Sequence, residues 1–290
     1  MGLRTKFNLI MLAIFSLGTI GAGFASYEVL QRNARDEILH TAGILLESAL
    51  AVRTYTVKEV RPLLSVQIKR QFLPQTVPAY AATTNIKNLR KKYPEYSYKE
   101  ATLNPTNPAS RATEWETSII EHFRNNQQEK EVIGERITPT GPMLYIARPI
   151  KIKNENCLQC HGNIDDAPDT MLASYGRANG FGWKLNEIVG SQIVSVPMSV
   201  PLARADATFH TFMIALFIVF LSVFLILNIF LHFIVIKPVK EISRIAHDVS
   251  MGKMDGVECN DKGKDEIASL AGSFNRMKRS LVNALDMLGD

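Results

Sequence analysis

The run from Phe209 to Ile236, FHTFMIALFIVFLSVFLILNIFLHFIVI, contains no Asp, Glu, Lys or Arg. It is longer than the roughly 20 apolar residues that carry a helix across a bilayer core, so a tilted span is expected there. A second apolar run, Phe7 to Tyr27, follows Arg4 and Lys6 and also has crossing length. Gly23-Phe24-Ala25 offers the small residues of a signal-cleavage site. The length of the run and the second span downstream favour retention. Lysine and arginine near the spans set the orientation: Arg4 and Lys6 before the first, Lys237, Lys240 and Arg244 after the second. This places both termini in the cytoplasm and the intervening segment outside it. His210 and His232 lie near the ends of the second run, where an imidazole reaches the interface, so they read as structural.

The expected organisation is a short cytoplasmic start (1–6), a span (7–27), an extracytoplasmic domain (28–207), a second span (208–236) and a cytoplasmic helical segment (237–290). A net charge of +5 without a basic stripe carrying interleaved aromatics argues against a nucleic-acid partner.

Between the spans, Leu30, Ala34, Ile38, Ala42, Leu45, Ala49 and Val52 recur at steps of three or four, which predicts a helix from Ser26 to about Pro62. Proline-rich joints follow: Pro74, Val77-Pro78-Ala79-Tyr80, Tyr93 to Tyr98 and Asn104-Pro105-Thr106-Asn107-Pro108. A helix is expected over Thr113 to Asn125 and strands over Glu131–Gly134, Met143–Ile150 and Gly190–Pro197. This is a small α+β domain behind a long N-terminal helix.

The chemistry is concentrated in Cys157-Leu158-Gln159-Cys160-His161. In C-x-x-C-H the two thiols, about one helical turn apart, suit thioether links to a porphyrin, and the adjacent histidine suits the proximal iron position. One covalent haem c is therefore expected, with His161 as axial ligand. A thioredoxin-like redox pair would want a strand before it and a helix after it, whereas the flanks here read as loop. A zinc site would want further ligands, and the third cysteine, Cys259, lies far away. The second axial ligand stays open among His40, His122, Met143, Met171 and Met198, and an open position is also compatible with the sequence.

Several segments together resemble the family of extracytoplasmic c-haem domains with a PAS-like fold, first described in a cyanobacterial protein. They are Ala51-Val52-Arg53-Thr54-Tyr55-Thr56, Val77-Pro78-Ala79, Tyr98-Lys99-Glu100-Ala101, Asn104 to Pro108, Trp115-Glu116, Cys157 to Gly162, Tyr175-Gly176 and Gly180-Phe181-Gly182-Trp183. The resemblance implies a haem pocket between the sheet and the N-terminal helix, and the haem bound through Cys157, Cys160 and His161. The family's variable sixth ligand includes a cysteine, and no cysteine outside the motif exists in this segment. Arg53, a permanent cation able to grip a carboxylate through two donors, is a candidate haem-propionate partner, with a solvated helix charge as the plain alternative.

After the second span, Lys237-Pro238-Val239-Lys240 opens an amphipathic helix carrying Ile242, Ile245, Ala246 and Val249. Asp265-Glu266 opens another, whose apolar positions Ile267, Leu270, Phe274, Met277, Leu281, Ala284 and Leu288 step by three and four alternately. That seam asks for partner helices, and a dimeric four-helix bundle supplies them. The proline, the Asp265-Glu266 start and Phe274-Asn275-Arg276-Met277 resemble the HAMP linker of bacterial receptors. Cys259, in the connector, reads as an inert thiol. The expected function is a haem sensor of redox state or of a small ligand, in a bacterial inner membrane. It would signal through the linker to a separate histidine kinase, chemoreceptor-type or other output protein, since no kinase motif or methyl-acceptor hairpin follows. The alternative is a membrane-anchored c-type cytochrome passing electrons to a redox partner. No acid–base pair flanks the motif, so catalysis is not expected.

Overall fold

The computed structural model describes residues 1–253 and 256–289. They form two units, one of Met1–Tyr27 with Phe209–Asp290 and one of Glu28–Thr208. In chain order the elements are helix α1 (Leu3–Tyr55), a π-helical turn (Thr56–Val60), the short α2 (Arg61–Leu63) and α3 (Ser65–Ile68), α4 (Pro78–Leu89) and strand β1 (Ser97–Thr102). Then come α5 (Glu114–Asn125), β2 (Val132–Thr138), β3 (Gly141–Lys151), α6 (Leu158–His161), α7 (Asp169–Tyr175) and β4 (Ile188–Pro197). Helices α8 (Ser199–Phe230), α9 (Lys237–Ser250) and α10 (Glu266–Gly289) close the chain.

The Glu28–Thr208 unit is a four-stranded antiparallel sheet in the order β1-β4-β3-β2, covered on both faces. Side chains alternate along each strand, so each strand serves both layers. Tyr98, Leu144, Ile146, Val194 and Val196 pack beneath α1 and α4, against Ile38, Ala42, Leu46, Ala49, Ala82 and Ile86. Ala101, Ala147 and Ile193 face the other way, against Ile119, Ile120 and Phe123 of α5. A capping box at Thr113 and Glu116 starts α5 by satisfying two of its free backbone donors. Strand β4 is the central element: every residue from Ile188 to Val196 is buried.

Register gives the sheet two distinct ends. At one, β3 runs out at Lys151 and β4 begins at Ile188, beside Thr102 of β1. At the other, β4 finishes at Pro197, β1 begins at Ser97 and the β2–β3 hairpin turns. Only Met198 separates β4 from α8. Helix α1 runs between these ends, because Arg35 pairs with Glu135 at the hairpin end and Glu47 pairs with Arg148 further along.

Two departures from the expected pattern bear on the packing of the sheet. The segment Tyr93–Tyr98, read as a joint, leads into β1, whose charged residues are paired, each pair with a buried carboxylate: Glu100 with Arg53 on one face and Glu116 with Lys99 on the other. That pairing hides the strand from a hydrophobic periodicity. Pro78, read as a break, opens α4 at the first helical turn, where a proline's missing N–H costs nothing.

In the other unit, α1 and α8 each contain a stretch long and apolar enough to cross a membrane, as expected from the two apolar runs. Phe15 stacks on Phe220 with centroids 4.9 Å apart, and Tyr27 meets Phe209 edge-on. Gly18 and Gly23 leave room for Phe220 and Met213, the small-residue packing usual between membrane helices. Helices α9 and α10 pack through Ile242, Ile245, Val249, Ala271 and Phe274. Asn275, buried, accepts from the Cys259 amide and donates to its carbonyl, holding the connector against α10. Leu270, Met277 and Leu281 of the heptad seam stay outward. The Leu288 side chain lies outside the described ones.

Leu46 has no exposed surface and lies in the α1–sheet layer. Leu46→Ala should destabilise this unit by about 2–5 kcal/mol, read as a lower melting temperature in detergent.

Candidate functional site

The motif lies in the long excursion between β3 and β4, at the end of the sheet away from α8. The strand end is closed by Ile152 and Glu187, Ile152 N–H donating to the Glu187 carbonyl and Asn186 N–H to that of Ile152. The Asn154 side chain accepts from the Asn156 amide and starts a short 3₁₀ turn over Glu155–Cys157. Helix α6, one turn long, follows and sets Cys157 and Cys160 on adjacent positions of one helical face. The flanks thus form a turn and a single helical turn, in a sheet whose strand pairs are all antiparallel. A thioredoxin-like βαβ setting is not what surrounds these thiols.

His161 is held on three sides. Its Nδ1–H donates to the Gly180 carbonyl at 2.8 Å, with Thr106 Oγ1 3.4 Å from the same nitrogen. Its ring stacks on Trp183, centroids 4.1 Å apart and planes 14° from parallel. The Trp183 and Gly182 amides donate to the carbonyls of His161 and Gly162, tying the two segments together. A carbonyl partner requires the proton on Nδ1, which leaves the Nε2 lone pair available to a metal. Burial lowers the His161 pKa, with the Gly180 hydrogen bond opposing, so the neutral, ligating form is favoured.

The cradle is assembled from distant sequence. Asn104 accepts from the Gly180 amide at 3.2 Å, bringing the β1–α5 loop under the 176–183 loop. Gly180 sits at φ +90°, and a Cβ there would collide with Thr106. Glycine is therefore required both by backbone sign and by space. Cys157 is exposed and Cys160 half-buried, in a cluster with Phe72, Ile164, Ala167, Met171, Leu172 and Phe181. Burial pushes the Cys160 thiol up, Arg61 partly offsetting and Cys157 adding. Thr170 Oγ1, in the adjoining α7, is buried with no partner among the described residues.

Of the proposed sixth ligands, Met171 alone shares the apolar cluster of Cys160. Met198 belongs to the α1–sheet layer at the opposite end and Met143 pairs with Pro197 there. His122 faces Glu129 on α5, Nε2 to carboxylate 2.6 Å, and His40 is an exposed residue of α1. Arg53 donates to Glu100, whose other oxygen accepts from the Tyr98 hydroxyl at 2.8 Å. Among the described residues no three His, Cys, Asp or Glu side chains gather to hold an ion, so the two thiols and His161 do not form a closed tetrahedral site. What they do fit is a group carried on two neighbouring thiols, with one neutral imidazole presented to its metal. Sequence reasoning assigned no role to Thr106, Gly180 or Trp183. They entered only within Asn104 to Pro108 and Gly180-Phe181-Gly182-Trp183, two of the segments that carry the family resemblance.

A sheet domain bearing a C-x-x-C-H excursion, two apolar spans and a paired-helix segment is the plan of a domain coupled to a signalling linker. The family comparison agrees: residues 31–197 match the Tll0287-like family and residues 230–283 the HAMP domain. The chain belongs to the Tll0287-like family and carries a HAMP domain. A search of curated proteins finds no match. Among solved structures it is similar to the crystal structure of the cyanobacterial heme-protein Tll0287, at 17% identity and a TM-score of 0.43. That alignment covers 56% of this chain and 95% of the other.

If the Arg53–Glu100 pair is structural, Arg53→Ala should cost about 2–4 kcal/mol by stranding a buried carboxylate, and Glu100→Gln in the same chain should recover part of it, a coupling measured by a double-mutant cycle of unfolding. Tyr98 gives a pH signature. Burial first, then the Glu100 charge and hydrogen bond, push its phenol well above the ordinary tyrosine range. The unfolded chain then releases this proton first, so stability present below about pH 10 declines above it. Alkaline melts of Tyr98→Phe should show a flatter decline.

Proposed function

We propose that this chain is a membrane-bound c-type haem sensor. The observation that carries the reading is the preparation of His161, which directly follows two thiols one turn apart: Nδ1 is engaged by Gly180 and the ring is clamped by Trp183, which leaves Nε2 its lone pair. Cys157 and Cys160 would hold one haem through thioethers and His161 would be its proximal ligand. Bound iron supplies one-electron exchange and a second coordination position. The Gly180 hydrogen bond fixes the imidazole tautomer and raises its basicity as a ligand, and Trp183 fixes its plane. Met171, in the same apolar cluster as Cys160, would be the candidate second ligand.

The route outward is β4. It is buried between both helix layers, starts next to the motif excursion and ends one residue before α8. A rearrangement of the 176–187 segment would therefore reach a rigid central strand and then α8, whereas a surface loop would absorb it. In this reading α1 and α8 cross a bacterial inner membrane, the haem domain is periplasmic and both termini are cytoplasmic. The lysines and arginines flanking the spans support that orientation. The four-strand order, with both terminal segments at one end, supports a PAS-like core. Outward Leu270, Met277 and Leu281 support a HAMP homodimer that signals to an output partner.

Exposure of Cys157 favours a second reading, a membrane-anchored electron carrier, since a haem edge at the surface serves exchange with a partner. Absorption spectra separate these. The pyridine haemochrome of the purified chain should be of the c type, and Cys157→Ala and Cys160→Ala should each shift it toward a single thioether link. An unshifted spectrum in both variants would sink covalent attachment. Carbon monoxide binding to the reduced chain, together with a changed HAMP conformation, supports sensing; rapid electron exchange with neither supports the carrier.

A further inference from the structure

The end of the Glu28–Thr208 unit opposite the motif carries two surface features that its core does not use. The first is the β2–β3 hairpin tip. Ile137 is 83% exposed there, and the strand positions beside it on the same face are Glu135 and the half-exposed Ile133. The tip residues carry no charge from Ile137 to Pro142. Its hydroxyls are satisfied locally: Thr138 Oγ1 donates to the Gly141 carbonyl at 2.8 Å and shares a hydrogen bond with Thr140 Oγ1 at 2.9 Å. Such a tip can leave water with little polar desolvation cost. The second feature is the α4–β1 loop, where Arg90, Lys91 and Lys92 precede Tyr93, itself 43% exposed. Lys92 lies over the Tyr93 ring and Arg90 turns to the Pro94 carbonyl. Glu95 is the one acidic residue of the loop, against Lys87, Arg90, Lys91 and Lys92.

Both features lie at the end where the chain enters and leaves this unit. Ile137 pairs with Pro142, whose carbonyl accepts from the Met198 amide just ahead of α8. Ser97, four residues after Tyr93, pairs with Ser195 near the finish of β4. Arg35, which pairs with Glu135, is seven residues from Glu28; that is about 10 Å of helix. Ile137 is two residues beyond Glu135 in the same direction, about 7 Å of strand. The unit's own chain termini, Glu28 and Thr208, lead in sequence straight into the two apolar stretches.

We propose that this end of the unit rests on the bilayer, with Ile137 and Tyr93 entering the interfacial layer and Arg90, Lys91 and Lys92 meeting anionic phospholipid headgroups. An exposed aliphatic on an uncharged tip, an amphipathic aromatic and adjoining lysines are the combination that partitions to that layer. Contact there would brace the sheet against its membrane, so that motion along β4 is transmitted to α8 and not lost as tilting of the whole unit. The proposal rests on the membrane reading above.

The test is photocrosslinking of the full chain in nanodiscs of phosphatidylethanolamine with and without phosphatidylglycerol. Benzoylphenylalanine is placed in turn at Tyr93, Ile137, Tyr27 as the span-edge control and Lys153 as the control beside the motif, and lipid adducts are read by mass. Adducts at Tyr93 and Ile137 within a few-fold of Tyr27, with Lys153 unlabelled, are expected. Labelling at Tyr27 alone overturns the proposal and leaves the membrane reading standing. No labelling at Tyr27 overturns both, and equal labelling at Lys153 overturns the assignment to this end. Lys91→Glu with Lys92→Glu should lower the phosphatidylglycerol share of the Tyr93 adduct by several-fold, and an unchanged share refutes the headgroup contact.

Discussion

Burial of β4 on both faces is the constraint on which the rest of this structure depends. A central strand with no exposed side needs a layer on each face, and α1 with α4 supply one while α5 supplies the other. Its neighbours β1 and β3 are then fixed in register, and with them the two ends of the sheet. One end receives the C-x-x-C-H excursion and the other releases the chain into α8. The separation between the motif excursion and the start of α8 is thus set by the length of one strand, ten residues long.

Polar groups in the interior are handled by pairing. Glu100 lies between Arg53 and Tyr98, and Lys99 meets Glu116 on the opposite face. Each pair joins β1 to a helix of a different layer, so an edge strand with little apolar content is held by hydrogen-bonded charge in place of hydrophobic area. His161 follows the same economy at the motif. One ring nitrogen is satisfied by the Gly180 carbonyl, and the other keeps its lone pair. The arrangement fixes the tautomer of a neutral imidazole.

Much of the plan was legible in the chain itself. The uncharged run Phe209–Ile236, the three-and-four spacing of Leu30 to Val52 and the heptads of α10 are patterns of local periodicity, and each lies in a helix of the structure. Strand β1 was not legible, because Lys99 and Glu100 look like surface charges until their partners are known. Nor was α4, whose leading Pro78 resembles a break when read without the turn that precedes it. Arg53, read as a candidate haem-propionate partner with a solvated charge as the alternative, also has an internal anion beside it, Glu100.

The sequence alone determined the two apolar stretches, the long first helix, the paired helices at the end and the placement of two thiols and a histidine on one turn. All of these depend on residues within a few positions of each other, where spacing dictates geometry. Only the tertiary structure decided what surrounds His161 and where the motif stands relative to α8. Thr106, Gly180 and Trp183 reach the imidazole from two loops far apart in sequence, which Asn104 ties together through the Gly180 amide, and they do so because β1 and β4 are neighbours in the sheet. Strand pairing across such distances is a property of the packed core, which no local pattern encodes.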